Sequence, residues 1–177
     1  MQTQNKLASF EEAVLPHLDA AYNLARWLTR NETDAEDVVQ EATLRAFRYF
    51  GGFHHDREGR PWLLGIVRNT CYTWMQQNRA QELLIPLDES HDLESQDLSP
   101  EALLQQSADS LMVRQALEEL PVEFREVMVL RELEGMSYKE IAGIIDLPLG
   151  TVMSRLARAR KRLQKSLTSQ MHAEAQS

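Results

Sequence analysis

The stretch GTVMSRLARARKRLQK, Gly150 to Lys165, carries six basic side chains and no acidic one. Wound as a helix at about 100° per residue, it places Val152, Leu156, Ala159 and Leu163 on one narrow face. Thr151, Ser154, Arg155, Arg158, Lys161, Arg162 and Lys165 fall on the other side. Fixed cations and small hydroxyls along one side of a rod bind polyanions. Guanidinium forks match phosphate oxygens, and residues near the N-terminal end of such a helix can reach base edges in a major groove. Taken alone, a basic run is more often a solvated helix face, so the surrounding sequence has to decide. Bond-breaking or metal chemistry finds less support. His54, His55 and Asp56 suggest a metal site, but adjacent histidines point in different directions and His17, His91 and His172 lie far away in sequence. The single cysteine, Cys71, cannot form a thiolate cluster, and it falls at the edge of a buried face as a small apolar filler. The acidic cluster DAED reads as a charged first helical turn. The chain has no glycine-rich phosphate loop and no serine-nucleophile elbow. No catalytic site, metal or cofactor is assigned.

The elements that carry the basic face are helical. Glycine and proline number 7 and 6 in 177 residues, alternation is absent and period-3.6 patterns dominate, which predicts an all-α chain. A first helix is expected from about Phe10 to Arg30, with Phe10, Val14, Leu18, Ala21, Ala25 and Leu28 on one side. A second is expected from near Asp34, taken as its N-cap, with Val38, Val39, Ala42, Ala46 and Phe50 as its apolar side. GGFHHDREGRP, Gly51 to Pro61, breaks the pattern. Pro61 suits the first turn of a third helix that runs to about Arg79 and buries Leu63, Ile66, Val67, Thr70 and Trp74. Further helices are expected over about Ala108 to Glu119, Val122 to Leu133, Tyr138 to Ile145 and Leu149 to Leu167, with Gly135 ending the second of these.

The net charge of -8 is unevenly spread. Residues 1 to 80 hold 9 basic and 10 acidic side chains, residues 81 to 120 hold 1 and 10, and residues 121 to 177 hold 9 and 7. PLDESHDLESQDLSPE, with little apolar periodicity, reads as a tether. The expected organisation is two small helical domains, 1–80 and 108–177, joined by a flexible acidic linker at 81–107. No apolar run approaches the ~18 residues of a membrane span. Met1 to Ser9 lacks the order of a secretion signal, so a reducing cytoplasm is expected.

SYKEIAGIIDLPLGTVMSRL, Ser137 to Leu156, carries the most information. Ser137 and Glu140 have capping-box spacing. Ile141, Ala142, Ile144 and Ile145 give a core side, with Ala142 small where a second helix would cross. DLP breaks the chain, and Pro148 leads into the basic helix. This is the pattern of a helix-turn-helix.

LPVEFREVMVLRELEGMSYKEIAGIIDLPLGTVMSRLARARKRL closely resembles region 4 of bacterial sigma factors of the extracytoplasmic-function (ECF) group. NETDAEDVVQEATLRAFRYF and RPWLLGIVRNTCYTW resemble region 2 of the same group. The resemblance spans about Phe10 to Leu167, in order, around a variable linker. It implies a transcription initiation factor and not an enzyme, one that joins core RNA polymerase through the β′ clamp helices and the β flap and directs it to promoter DNA. It also implies control by an anti-sigma factor and a place in stress responses.

Residue by residue, the resemblance implies polymerase contact at Asp37, Gln40, Glu41, Leu44 and Arg45. Their mixed polar and apolar surface suits an interface, and an i,i+4 pair such as Glu41 with Arg45 is the plainer reading. It implies -10 contact at Phe53, His54, His55, Arg60, Trp62, Arg68, Asn69, Tyr72 and Gln76, where cations and an aromatic ring suit backbone contact and base stacking. Trp62 either flanks DNA or staples the helix start, while Trp74 belongs to the core. The -35 set is Thr151, Met153, Ser154, Arg155, Arg158, Lys161 and Arg162. Met153 stands where relatives often carry a basic residue, and the loop HHDREG departs from the commonest pattern. Two rival readings are a repressor or activator acting without polymerase, and an adaptor whose basic helix is only surface.

Overall fold

The computed structural model describes residues 1–54, 58–84 and 108–177, and every regular element among them is helical. The linker calls from residue 85 to 107, together with His55 and Asp56, lie outside the described residues. The elements are α1 (Gln2–Val14), α2 (Leu18–Thr29), α3 (Glu32–Tyr49), α4 (Gly59–Leu84), α5 (Ala108–Glu119), α6 (Val122–Met128), α7 (Tyr138–Ile145) and α8 (Leu149–Ala175).

The first expected helix is two. Pro16 lacks an amide hydrogen and crowds the preceding turn, so the chain passes through a 3-10 turn at Leu15–His17 before α2 begins. The helical region also starts earlier, at Gln2. Asp34 is not the cap of α3. Asn31, in an extended conformation, is the N-cap, and its side-chain oxygen accepts from the Asp34 amide at 3.0 Å. Arg30 takes the left-handed conformation, φ 59°, that ends α2 and turns the chain toward this cap. α4 continues past Arg79 to Leu84, and α8 past Leu167 to Ala175.

α1 to α4 enclose one core. Phe10, Val14, Ala21, Leu24, Ala25, Leu28, Ala35, Val38, Ala42, Leu63, Leu64, Val67 and Cys71 are buried there. Alanine at several inward positions of α2 and α3 lets those helices approach closely, and the bulk comes from Phe10 and Val14 of α1, Leu24 and Leu28 of α2, and Leu63 and Leu64 of α4. Phe10 meets Phe47 and Phe50 edge-on, with ring centroids 5.2 and 5.4 Å apart. Gly59 is required at the start of α4, because a Cβ there would overlap the Ala13 carbonyl oxygen.

The C-terminal half packs α6 and α7 against α8. Val127, Val129, Leu130, Met136, Ile141, Ile144, Ile145, Val152, Leu156 and Ala159 are buried. After α6 a wider π-type turn spans Val129–Leu133, and Gly135 at φ +65° ends it. The capping box is formed in both directions: the Glu140 amide donates to Ser137 Oγ at 3.1 Å and the Ser137 amide donates to Glu140 Oε1 at 3.0 Å. Asp146 at φ 55° closes α7, and Pro148 precedes α8.

The two halves also touch each other. α7 lies along α4, and α6 approaches α2. Gly65 of α4 faces the Ile144 main chain of α7. A Cβ at Gly65 would make only ordinary van der Waals contact with Ile144, so the crossing does not require glycine there, and Ala142 is half-buried.

Candidate nucleic-acid interface

Three surfaces hold the residues expected to bind. The first is the outer face of α3. Asp37, Gln40, Glu41 and Leu44 are exposed, Leu44 by 56% despite its apolar side chain. Arg45 Nε donates to Glu41 Oε1 at 3.0 Å, so the expected i,i+4 pair is present within this face. Arg48 is also exposed and falls near the middle of the same arc at helical spacing, a member the sequence reading passed over. Asp34, at the start of α3, has its carboxyl pushed above the usual range, first by burial and then by the neighbouring Asp37 charge.

The second surface is α4 with the turn before it. Phe53 stacks on Phe50, centroids 5.4 Å apart, and lies 4.8 Å from the Trp62 ring. Trp62 therefore fastens the helix start to the aromatic core, with one side facing a cleft between the halves that Gly65, Ile66, Asn69, Lys139 and Gly143 also line. His54 is exposed. Asn69 and Gln76 are exposed along α4, and Trp74 is half-buried against the core as expected. Cys71 is fully buried, and burial pushes its thiol up to about 12, which removes it as a nucleophile.

Arg60, Arg68 and Tyr72 depart from expectation. They do face away from the α1–α4 core, but all three are half-buried, and acids of the C-terminal half engage Arg60 and Arg68. Arg68 donates from Nε to Glu126 Oε2 at 2.9 Å and from Nη2 to Glu126 Oε1 at 3.2 Å, a two-pronged pair with a fully buried carboxylate. Its guanidinium also lies 3.8 Å from the Tyr72 ring centroid. Burial and the Glu126 charge both push the Tyr72 hydroxyl upward, so it stays neutral. Arg60 pairs with Glu134 Oε2 at 2.8 Å and donates to the Glu134 carbonyl oxygen as well.

The third surface is the outer side of α8. Val152, Leu156 and Ala159 are buried and Leu163 is half-buried, which is the seam expected from spacing. Met153, Ser154, Arg158, Lys161, Arg162 and Lys165 are exposed, and Thr151 is half-buried. Arg155 lies 3.8 Å from Glu126 Oε1, and the Arg162 guanidinium lies 4.9 Å from the Phe124 ring centroid. Arg160, on the same helix, pairs with Glu132 at 2.9 Å, which raises the arginine's affinity for its proton. The cationic residues of α8 thus divide. Arg158, Lys161 and Lys165 extend into solvent, while Arg155, Arg160 and Arg162 are steadied by contacts within the C-terminal half.

Three residues that organise these surfaces went unnoticed in the sequence. Glu126 is fully buried between Arg68 and Arg155. Glu134 receives Arg60. Arg125, 2% exposed, donates from Nη1 to the Glu118 and Leu120 carbonyls at 3.0 and 2.8 Å, and from Nη2 to the Leu28 carbonyl at 3.3 Å. It closes the C-terminal ends of α5 and α2 together. Burial, with repulsion from Arg30 next, lowers its guanidinium to about 10, still charged near neutral pH. The signal lay in the spacing: Val122, Arg125, Glu126, Val129 and Leu130 follow the i, i+3, i+4, i+7, i+8 pattern of a buried stripe, two of whose members are charged. Charges on such a stripe are retained only when paired inside.

Among the described residues no helix is long and apolar enough to cross a membrane. Residues 13–81 match the family described as Sigma-70 region 2, and residues 110–163 match Sigma-70, region 4. The ECF RNA polymerase sigma factor SigE of Mycolicibacterium smegmatis is 36% identical over 176 residues, covering 98% of this chain and 67% of that protein. The ECF RNA polymerase sigma-E factor of Escherichia coli is 36% identical over 141 residues, covering 76% of this chain and 74% of that protein. Among solved structures, the sigma factor RpoE in complex with the anti-sigma factor NepR from Bartonella quintana superposes with a TM-score of 0.70 at 27% identity, over 90% of this chain and 97% of that one. CnrH in complex with the cytosolic domain of CnrY gives a TM-score of 0.66 at 28% identity, over 92% and 90%.

Proposed function

Because the chain belongs to the extracytoplasmic-function group of the sigma-70 family, we propose that it divides the work of promoter-specific initiation among the three surfaces. Family members are transcription initiation factors: they bind core RNA polymerase and direct it to promoters. Here the region 2 and region 4 sequences occur in order in one chain. The observation that carries the reading is this pairing of an exposed α3 face in one half with a seam-backed cationic helix in the other.

Within that activity, the outer face of α3, with Asp37, Gln40, Glu41, Leu44 and Arg45, contacts the β′ clamp helices, and region 4 contacts the β flap. An exposed leucine framed by charged side chains supports an interface role. Phe53, His54, His55, Arg60, Trp62, Arg68, Asn69, Tyr72 and Gln76 serve the -10 strand. Thr151, Met153, Ser154 and Arg155, on the first turns of α8, serve the -35 bases and adjacent backbone. Arg158, Lys161 and Arg162, further along, hold phosphates. A short DNA-facing side on a helix anchored by Val152, Leu156 and Ala159 supports this order. The domain organisation follows as 1–80, 81–107 and 108–177. An anti-sigma partner is proposed from the complexes formed by RpoE and CnrH. A cytoplasmic site of action follows from work on polymerase.

The test is run-off transcription on a supercoiled template with purified core enzyme. Promoter-specific product that requires both the chain and core polymerase is expected. Tight, specific duplex binding by the chain alone, as a dimer on a two-fold site, would favour a repressor or activator. Failure to bind core polymerase under any salt condition would sink the sigma assignment.

A further inference from the structure

We propose that Leu149, Met153 and Ala157 form an apolar strip on α8 that reads the 5-methyl group of thymine in the -35 element, with Met153 as the residue that sets a preference for T·A pairs there. The inference deepens the reading above, since it rests on the assignment of α8 to the -35 duplex.

Three observations carry it. Leu149, Met153 and Ala157 stand four residues apart on one helix and all are exposed, the two large side chains by 48% and 51%. At about 3.6 residues per turn, side chains at this spacing are neighbours, each about 40° further round the axis than the last. None of them serves the core, because the seam that holds α8 down is Val152, Leu156 and Ala159. Single apolar side chains are ordinary on a protein surface, whereas three in register make a continuous one. The strip also starts at the helix end that is set to meet base edges. α8 begins at Leu149, and its first turn is fixed by the Thr151 and Val152 amides, which donate to the Pro148 carbonyl at 3.0 and 3.2 Å. Finally, the strip is bordered on its outer side by the exposed Ser154, Arg158 and Lys161. Phosphates held by those cations would press the strip toward the floor of a major groove. On the other border Arg160 is paired with Glu132 at 2.9 Å.

The chemistry of the groove selects what such a strip can recognise. Hydrocarbon side chains have no hydrogen-bonding group, and a thioether sulfur is only a weak acceptor. Laid over the amine of cytosine or the acceptors of guanine, they would desolvate polar atoms with no bond to offset the loss. The 5-methyl of thymine is the apolar group that base edges present in the major groove. Contact with it removes apolar surface of both partners from water. Methionine suits this contact because its unbranched, polarizable side chain adapts to the shape it meets. Leu149 and Ala157 extend the apolar surface to either side of it, toward neighbouring base steps.

The experiment uses holoenzyme assembled from the full chain and core RNA polymerase. Promoters are first selected from a duplex library randomised across the -35 and -10 elements. A recovered promoter is then rebuilt with deoxyuridine in place of each -35 thymine in turn, which removes the methyl and leaves base pairing unchanged. Competition binding compares the parent chain with Met153→Gln, close in size but polar, and Met153→Leu, which stays apolar. Position 153 is exposed, so both variants should fold, and circular dichroism checks this. The parent is expected to lose affinity about three- to fivefold at one or two thymines, the effect of withdrawing one buried methyl group. Met153→Leu should keep that sensitivity. Met153→Gln should reduce it to less than about 1.5-fold, because the protein and DNA changes remove the same contact. A selected -35 element without thymine, deoxyuridine tolerated at every position, or a deoxyuridine effect of undiminished size in Met153→Gln overturns the inference. Holoenzyme that selects no promoter refutes the sigma assignment and the inference with it, whereas promoter selection that is blind to the methyl refutes the inference alone.

Discussion

Replacing Arg125 with methionine removes a cation from the interior while keeping most of its aliphatic length. In the native chain its guanidinium donates to three main-chain oxygens, those of Glu118, Leu120 and Leu28. Hydrogen bonds from a charged donor contribute roughly 1.5–3 kcal/mol each, so the gross gain lies at about 4–9 kcal/mol. Burial opposes this. Lowering the guanidinium to about 10 corresponds to a cost on the order of 3 kcal/mol at ~1.36 kcal/mol per tenfold change. The difference leaves a net contribution of about 1–6 kcal/mol. Methionine fills the volume but leaves the three carbonyls without that donor, so Arg125→Met should destabilise the chain by about 3 kcal/mol, as expected for removing one member of a buried polar set. Urea unfolding followed by circular dichroism at 222 nm measures it, with the slope checked for a change in cooperativity. Arg125→Lys should recover less than half of the loss, because a single ammonium cannot span carbonyls at the ends of two helices. A loss below about 0.5 kcal/mol for Arg125→Met would show that its hydrogen bonds only balance its burial, and would refute the reasoning.

Gly59→Ala places a methyl against the Ala13 carbonyl, a main-chain atom that cannot swing aside, and should cost about 1–3 kcal/mol in the same assay, whereas the open Gly51 should tolerate alanine. Burial, followed by the Arg60 guanidinium, lowers the proton affinity of His17, with Glu58 acting in the other direction. Below about pH 6.5 the unfolded chain therefore takes up more proton than the folded one, so this group's contribution to stability falls as pH drops through that value. His17→Gln should flatten the change in melting temperature between pH 7.5 and 5.5, and a wild-type slope that persists unchanged would count against it. Arg158→Ala, at an exposed position of α8, should lower the salt slope of -35 duplex binding by roughly one and weaken all sequences alike if it holds a phosphate. A loss of about 1–3 kcal/mol confined to one base pair would reassign it to base reading.

The sequence by itself determined the local elements wherever one physical rule acted unopposed. The buried seam of α8 is legible because Val152, Leu156 and Ala159 recur at helical spacing, and the entry into α7 because Ser137 and Glu140 can only satisfy each other's amides at that separation. Family membership was equally legible, since it resides in ordered motifs. The boundaries were less so. Asn31 captured the cap that Asp34 was expected to provide, because either short polar side chain can accept an amide there and the extended conformation at Asn31 decided between them. Pro16 split a continuous apolar pattern that periodicity alone treats as one helix.

Only the tertiary structure decided which cations are free. Along α4, Arg68 and Arg79 have the same chemistry and both lie on the outer stripe, yet one is clasped by Glu126 and the other is exposed. No spacing rule within a single helix can register that difference, because Glu126 lies 58 residues away and reaches Arg68 only once the C-terminal half has packed against the first four helices. Arg125 and Glu126 make the same point from the inside. Their positions on an apolar stripe predict burial, but the partners that make such burial tolerable belong to other helices, and long-range packing alone brings them together.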